Sequence, residues 1–170
     1  MVQLSREEEL ILKGEMGAEI AEVFEAVVKV AEIVGAPRLV KITGAHISGV
    51  SYRNLGAEGV EFLEELAGKG LRFAVRTTVN PAGFDLELSG EMGVKREELE
   101  LQMRALRALS SMGAEITLSC TPYLIHPPKL GEHLAWAESS AVLYANSVAG
   151  ARTNREGGPF SVIEALVGRA

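Results

Sequence analysis

The 170-residue sequence predicts an α/β fold, a three-layer α/β/α arrangement around a mainly parallel sheet. Segments with apolar residues at the helical period alternate with short apolar runs. One run, Leu71-Arg72-Phe73-Ala74-Val75-Arg76-Thr77-Thr78, is mostly apolar without strict alternation, as a strand covered on both faces requires. Glycine is abundant (18 residues) and aromatics are few (5%), which suits tight helix–strand turns better than an all-β sandwich. The alternation favours right-handed crossovers, and the length suffices for one domain with its own core, so residues 1–170 read as a single unit.

Ser5 followed by Glu8 is a capping-box pattern that starts a short helix ending near Gly14. Ala18 to Val34 repeats Ile20, Val23, Phe24, Val27, Val28 and Ala31 at the helical period, and Gly35 and Pro37 stop it. Leu39-Val40-Lys41-Ile42 is the first strand candidate. The stretch from Thr43 to Gly56 then reads as a long loop rich in glycine and hydroxyls, the kind of connection that is usually functional or mobile. Glu58 to Leu66 is helical with Val60, Leu63 and Leu66 inward, and the Leu71–Thr78 strand ends in an Asn80-Pro81-Ala82-Gly83 turn. Lys95 to Met112 is an amphipathic helix whose buried stripe runs through Leu99, Met103, Leu106 and Leu109 or Ser110. Ala114 to Leu118 reads as a buried strand. Trp136 to Gly150 reads as a helix apolar enough to be buried, with Glu138 and Ser139 in its first turn. Arg152 to Pro159 is a basic, polar stretch before a last helix from Ser161 to Val167.

A net charge of −6 argues against a nucleic-acid binder, which needs a basic face. No apolar run approaches the ~20 residues of a membrane span. The N-terminus lacks signal-peptide character and one cysteine excludes an internal disulfide framework, so the cytoplasm is the expected compartment.

That cysteine, Cys120, follows the Ala114–Leu118 run and precedes the Pro-rich Ile125-His126-Pro127-Pro128. Two readings stay open: a small buried hydrophobe, or a thiol at the mouth of a strand, where open α/β sheets bind ligands. One thiolate cannot build a tetrahedral metal site alone. His46 reads first as a hydrogen-bonded structural histidine, with a base as the alternative. Asn80 is either a turn residue or an amide donor to a substrate oxygen. Arg152 and Arg155 either clamp a carboxylate or phosphate or form surface ion pairs.

Four motifs taken together are more specific: Ala45-His46-Ile47-Ser48-Gly49-Val50-Ser51-Tyr52, Thr77-Thr78-Val79-Asn80-Pro81-Ala82-Gly83, Ser119-Cys120-Thr121-Pro122-Tyr123, and the run from Trp136-Ala137-Glu138-Ser139-Ser140-Ala141 to Glu156-Gly157-Gly158. In order and spacing, from Leu4 onward, the chain resembles the aconitase X family. The resemblance implies an aconitase-like fold and a hydro-lyase, with this chain the N-terminal part of a catalytic large subunit. It implies an iron–sulfur cluster, 4Fe-4S by first expectation and another cluster type or mononuclear iron otherwise, acting as Lewis acid on a leaving hydroxyl. Cys120 would be one of three cysteine ligands, the other two lying beyond Ala170. Gly49, Val50, Ser51, Asn80, Pro81, Ser139 and Ser140 would bind substrate. The base would be a serine of a swivelling domain or small subunit, so the expected partners are that small subunit and the remaining large-subunit segment. The isolated chain would then be inactive and, lacking sheet neighbours, would self-associate. The expected substrate is (R)-5-phosphomevalonate, dehydrated to trans-anhydromevalonate 5-phosphate in the archaeal mevalonate pathway; the alternative is cis-3-hydroxy-L-proline. A reading from another class is a non-catalytic module that binds an anion or a partner chain.

Overall fold

The computed structural model describes residues 2–170. Four short strands, β1 (Gly44–Ile47), β2 (Arg76–Val79), β3 (His133–Trp136) and β4 (Arg152–Arg155), form one fully parallel sheet in the order β2-β1-β3-β4. His46 of β1 lies level with Thr78 of β2 and with Trp136 of β3. Around the sheet run α1 (Arg6–Leu12), α2 (Ala18–Ile33), α3 (Tyr52–Gly68), α4 (Arg96–Ser111), α5 (Pro122–Ile125), α6 (Ser139–Tyr144) and α7 (Gly158–Val167). A π-helical turn, Ala145–Ala149, continues α6.

Side chains alternate across a strand, and the two faces of the sheet differ. Ala45, Ile47, Val79 and Ala135 join the larger core with α2, α3, α4 and α7, around Phe24, Val27, Val60, Leu63, Leu109 and Val162. His46, Thr78, Leu134 and Trp136 face the other way, where Leu134 and Trp136 pack on Ala141, Ala145 and Ala151. The result is the expected three-layer α/β/α sandwich, with a thin second helical layer.

The helices form where their signals stand. Ser5 caps α1 in a complete capping box, Glu8 accepting from the Ser5 amide at 2.8 Å. Val23, Phe24, Val27 and Ala31 are the buried stripe of α2. α3 begins six residues before its predicted start, because Ser51 caps it and Gly56 (φ 65°) absorbs a break inside it. α7 likewise starts early, with Pro159 in its first turn. In α4 the buried stripe is displaced from the expected one: Gln102, Ala105, Leu106 and Leu109 point inward and Ser110 is exposed.

The strands depart further. Leu39–Ile42 is not a sheet strand; the last residues of the chain fold back along it, Val40 exchanging backbone bonds with Ala170 at 2.9 and 3.1 Å, and Lys41 bridging Arg169 antiparallel. The Thr43–Gly56 stretch is no loop, since it holds all of β1 and the start of α3. β1 lacks an apolar run because one of its buried groups is His46, whose Nδ1 bonds Thr78 of the neighbouring strand. Of the predicted Leu71–Thr78 strand only Arg76–Thr78 is ladder-paired, and the pairing runs on to Val79. Ala114–Leu118 does run beside β2, with a parallel bridge between Thr78 and Glu115. The ladder then fails because the Thr117 hydroxyl takes the Val79 carbonyl at 2.7 Å and Leu118 turns to φ 46°. Trp136 belongs to β3, so the helix predicted from it starts only at Ser139. That helix is not buried throughout: Leu143 is 66% exposed, because only small alanines face the sheet. Arg152–Arg155 is an edge strand, its alternation polar on both faces.

Residues from opposite ends of the chain meet beneath the sheet. Arg169 Nε donates to Glu8 Oε1 at 3.0 Å, both side chains being buried.

Candidate active site at the C-terminal edge of the sheet

In a parallel sheet all C-terminal strand ends lie along one edge, and ligands bind there where the strand order reverses. Here the chain leaves β1 toward β2 and then crosses to β3 and β4, so the reversal lies between β1 and β3. The segments flanking it are Ser48–Ser51 after β1 and Ala137–Ser140 after β3, and Asn80–Gly83 follows the adjacent β2. Every segment predicted to bind substrate is thus on one edge.

The first two loops are fitted to each other. Asn80 N donates to Ile47 O at 2.9 Å. A Cβ at Gly83 would lie 2.5 Å from Ser51 Oγ and 3.2 Å from the Tyr52 ring, so only glycine admits this approach. A Cβ at Gly158, in the first turn of α7, would collide with the Ser48 carbonyl oxygen. Val50 is 1% exposed with its side chain in the core, so it can offer a ligand only its backbone. The Ser51 hydroxyl accepts from Arg53 N at 3.3 Å. Asn80 Oδ1 is enclosed without a protein partner. Pro81, Ser139 and Ser140 are exposed.

Cys120 is exposed and free. The Ser119 amide still bonds the Val79 carbonyl at 3.2 Å, holding this segment to the outer side of β2. From there the chain passes over the sheet: Ser140 Oγ donates to the Cys120 carbonyl at 3.4 Å, and Tyr123 of α5 stacks on Tyr144 of α6 with ring centroids 4.0 Å apart. Cys120 therefore stands between the end of β2 and the start of α6. Partial burial, then the charge of Glu138 and a hydrogen bond to it, push its thiol pKa up.

His46 is 0% exposed on the face of β1 beneath this segment. Thr78 Oγ1 lies 2.8 Å from His46 Nδ1 and 3.4 Å from the Ala45 carbonyl, so the shorter bond ties the ring to β2. The other ring nitrogen, Nε2, has no partner among protein groups. Burial holds the ring neutral, its pKa pulled down to about 4 against the opposing charge of Glu138. The structural reading of His46 describes its Nδ1 side; its Nε2 is unpartnered.

Arg152 sits at the start of β4, away from these loops, with Nη1 3.1 Å from the Ala151 carbonyl, whereas Arg155 ends the strand on the site's edge. Sequence reasoning missed Gln102 and the reach of Glu138. The signal for Gln102 was available: three residues beyond Leu99 and four before Leu106, it is a polar residue on an apolar stripe.

Among the described residues no group of three or more His, Cys, Asp or Glu is placed to hold a metal ion. The donor set thus fits one corner of a cluster through an accessible thiol, and no more. No helix is long and apolar enough to cross a membrane among the described residues.

A family model described as aconitase X first domain matches residues 1–170. The phosphomevalonate dehydratase large subunit of Aeropyrum pernix is 48% identical over 98% of this chain and 43% of the relative. That of Thermococcus kodakarensis is 47% identical over 98% of this chain and 41% of the relative. The cis-3-hydroxy-L-proline dehydratase of Pseudomonas aeruginosa is 38% identical, covering 96% of this chain and 28% of the relative. The crystal structure of holo aconitase X from Thermococcus kodakaraensis superposes with a TM-score of 0.87 at 46% identity, covering 99% of this chain and 42% of that one. The chain spans less than half the length of these relatives. A family match along the whole sequence, with the same fold in a solved member, carries one conclusion: the chain belongs to the aconitase X family.

Proposed function

We propose that this chain is the first-domain part of a phosphomevalonate dehydratase large subunit, a hydro-lyase component that acts on (R)-5-phosphomevalonate and yields trans-anhydromevalonate 5-phosphate. The observation that carries the reading is the gap in similarity. Relatives named for that enzyme are 42–48% identical to this chain, and those named cis-3-hydroxy-L-proline dehydratase are 35–38% identical. Residues 1–170 act as one α/β unit in it, with a small subunit and the rest of a large subunit as partners.

The chain's own residues bind and orient. Ser51, the Gly49 and Val50 backbone, Asn80 with Pro81, and Ser139 with Ser140 surround the substrate at the strand-order reversal. Asn80 Oδ1 and His46 Nε2 are enclosed polar atoms without protein partners, suited to a hydroxyl, which both donates and accepts. Cys120 would supply one thiolate to an iron–sulfur centre, whose other ligands would come from the remaining large-subunit segment. Its raised pKa means that ligation must release a proton. When bound, such a centre polarises the leaving hydroxyl as a Lewis acid. The α-proton is taken by a serine of the partner.

The test is turnover of both substrates by the chain assembled with its partner chains. Dehydration of 5-phosphomevalonate supports the assignment; turnover of cis-3-hydroxy-L-proline alone overturns it.

A further inference from the structure

The two loops at the centre of the site are joined through one side chain that belongs to neither. Gln102 of α4 is 0% exposed. Its Oε1 accepts from Tyr52 N at 3.1 Å, at the exit of the first loop, and from Gly83 N at 3.0 Å, at the end of the second. Its Nε2 donates to the Val50 carbonyl at 2.9 Å. Two N–H groups converge on one atom, so that atom must be the amide oxygen and the orientation of the side chain is fixed. A buried polar group with three backbone partners in two loops is expensive to replace: an apolar side chain of similar size leaves two donors and one acceptor unpaired. The fit of Gly83 against Ser51 and Tyr52 is the contact that these bonds hold closed.

We propose that Gln102 is a positioning residue that sets the distance between Ser51 and Asn80, and through it the affinity for substrate, without touching substrate itself. This rests on the assignment of those loops to substrate binding given above.

A glutamate in its place discriminates the role, because only the protonated acid offers both the acceptor and the donor that the loops need. Full burial raises such a carboxyl's pKa, and the Val50 carbonyl facing it disfavours the ionised form further, so Gln102→Glu would work in acid and fail in base. The experiment is a backbone-amide NMR titration of the full 170-residue chain with (R)-5-phosphomevalonate. It compares wild type, Gln102→Glu and Gln102→Met at about pH 5.5 and about pH 8, with a melting curve for each.

The expected result is ligand-induced shifts at Ser51 and Asn80 in wild type at both pH values. Gln102→Met should bind about tenfold more weakly. Gln102→Glu should bind about tenfold more weakly than wild type at the higher pH and recover at the lower. Variants that melt earlier but bind like wild type, or a Gln102→Glu deficit that ignores pH, would reduce Gln102 to a core residue and overturn the proposal. If wild type itself shows no response at either loop, the loop assignment fails and this inference falls with it; that comparison involves no Gln102 variant, so the two failures are told apart.

Discussion

Substituting Glu164 with glutamine should make the protein more stable, and only above acid pH. Glu164 lies on α7 at 2% exposure, with Oε2 lacking a partner. Burial, and secondarily the charge of Glu156, push its pKa from 4.5 to about 9, so the folded chain holds this group as a neutral acid at neutral pH. The unfolded chain ionises it near 4.5, and folding between those limits must take up a proton. Stability is then highest below the unfolded pKa and falls as pH rises, by about 1.4 kcal/mol per unit, reaching about 3 kcal/mol at neutral pH. Glutamine keeps the shape and removes the proton uptake; its unpaired amide returns about 1 kcal/mol of that gain. The expected net effect near pH 7 is about 2 kcal/mol, or about 4–8 °C in Tm for a chain of this length. The gap should close at about pH 5 and reverse slightly by the unfolded pKa of 4.5, where the cost of the unpaired amide exceeds what is left of the gain. Thermal melts of wild type and E164Q across this range provide the assay, with Glu156→Gln as a second variant expected to narrow the gap. A gap of the same size at every pH, or an E164Q chain no more stable near neutrality, refutes the reasoning.

His46 acts with the opposite sign. Its folded pKa of about 4 lies below the ordinary 6.5, so its contribution rises with pH through that window. About 3 kcal/mol is lost on acidification through it. Between pH 4.5 and 6.5 the two groups oppose each other and wild-type stability should be nearly flat, whereas His46→Gln should lose stability steadily as pH rises, read by the same melts. Cys120→Ser should lose the iron and sulfide bound per chain after anaerobic purification with the partner chains; retention of both would remove Cys120 as a ligand. Gly158→Ala, whose Cβ meets the Ser48 carbonyl, should cost about 2 kcal/mol in a denaturant titration, and a neutral result would show that the loop yields.

The helices were legible because their signals are local. The Ser5–Glu8 capping box and the Val23–Ala31 stripe need no tertiary information to be read. The strands were not, because what qualifies a segment here is its neighbours. Leu39–Ile42 has the apolar character of a strand yet is paired by the far end of the chain. Gly44–Ile47 has little of that character and is central, since His46 finds Thr78 on the next strand. Arg152–Arg155 carries no apolar residue and still pairs fully with β3, as an edge strand can. The loops expected to bind substrate fall on one edge of the sheet because glycine, asparagine and serine beside apolar runs mark strand exits wherever the strand begins. The geometry among them was not legible, since Gln102 is 50 residues from Tyr52 and 19 from Gly83, and only packing brings the three together.

The buried pairing of Arg169 with Glu8 spans 161 residues of sequence. Synthesis is vectorial, so α1 emerges from the ribosome well before the residue that neutralises its buried carboxylate is made. Until then Val40 also lacks the backbone partners that Ala170 supplies. The nascent chain can therefore close its lower layer only once residues 169 and 170 have been made, and contacts of such long range slow folding. A tag or fusion placed directly after Ala170 would bear on that closing step, while the candidate site at the opposite ends of the strands would be spared.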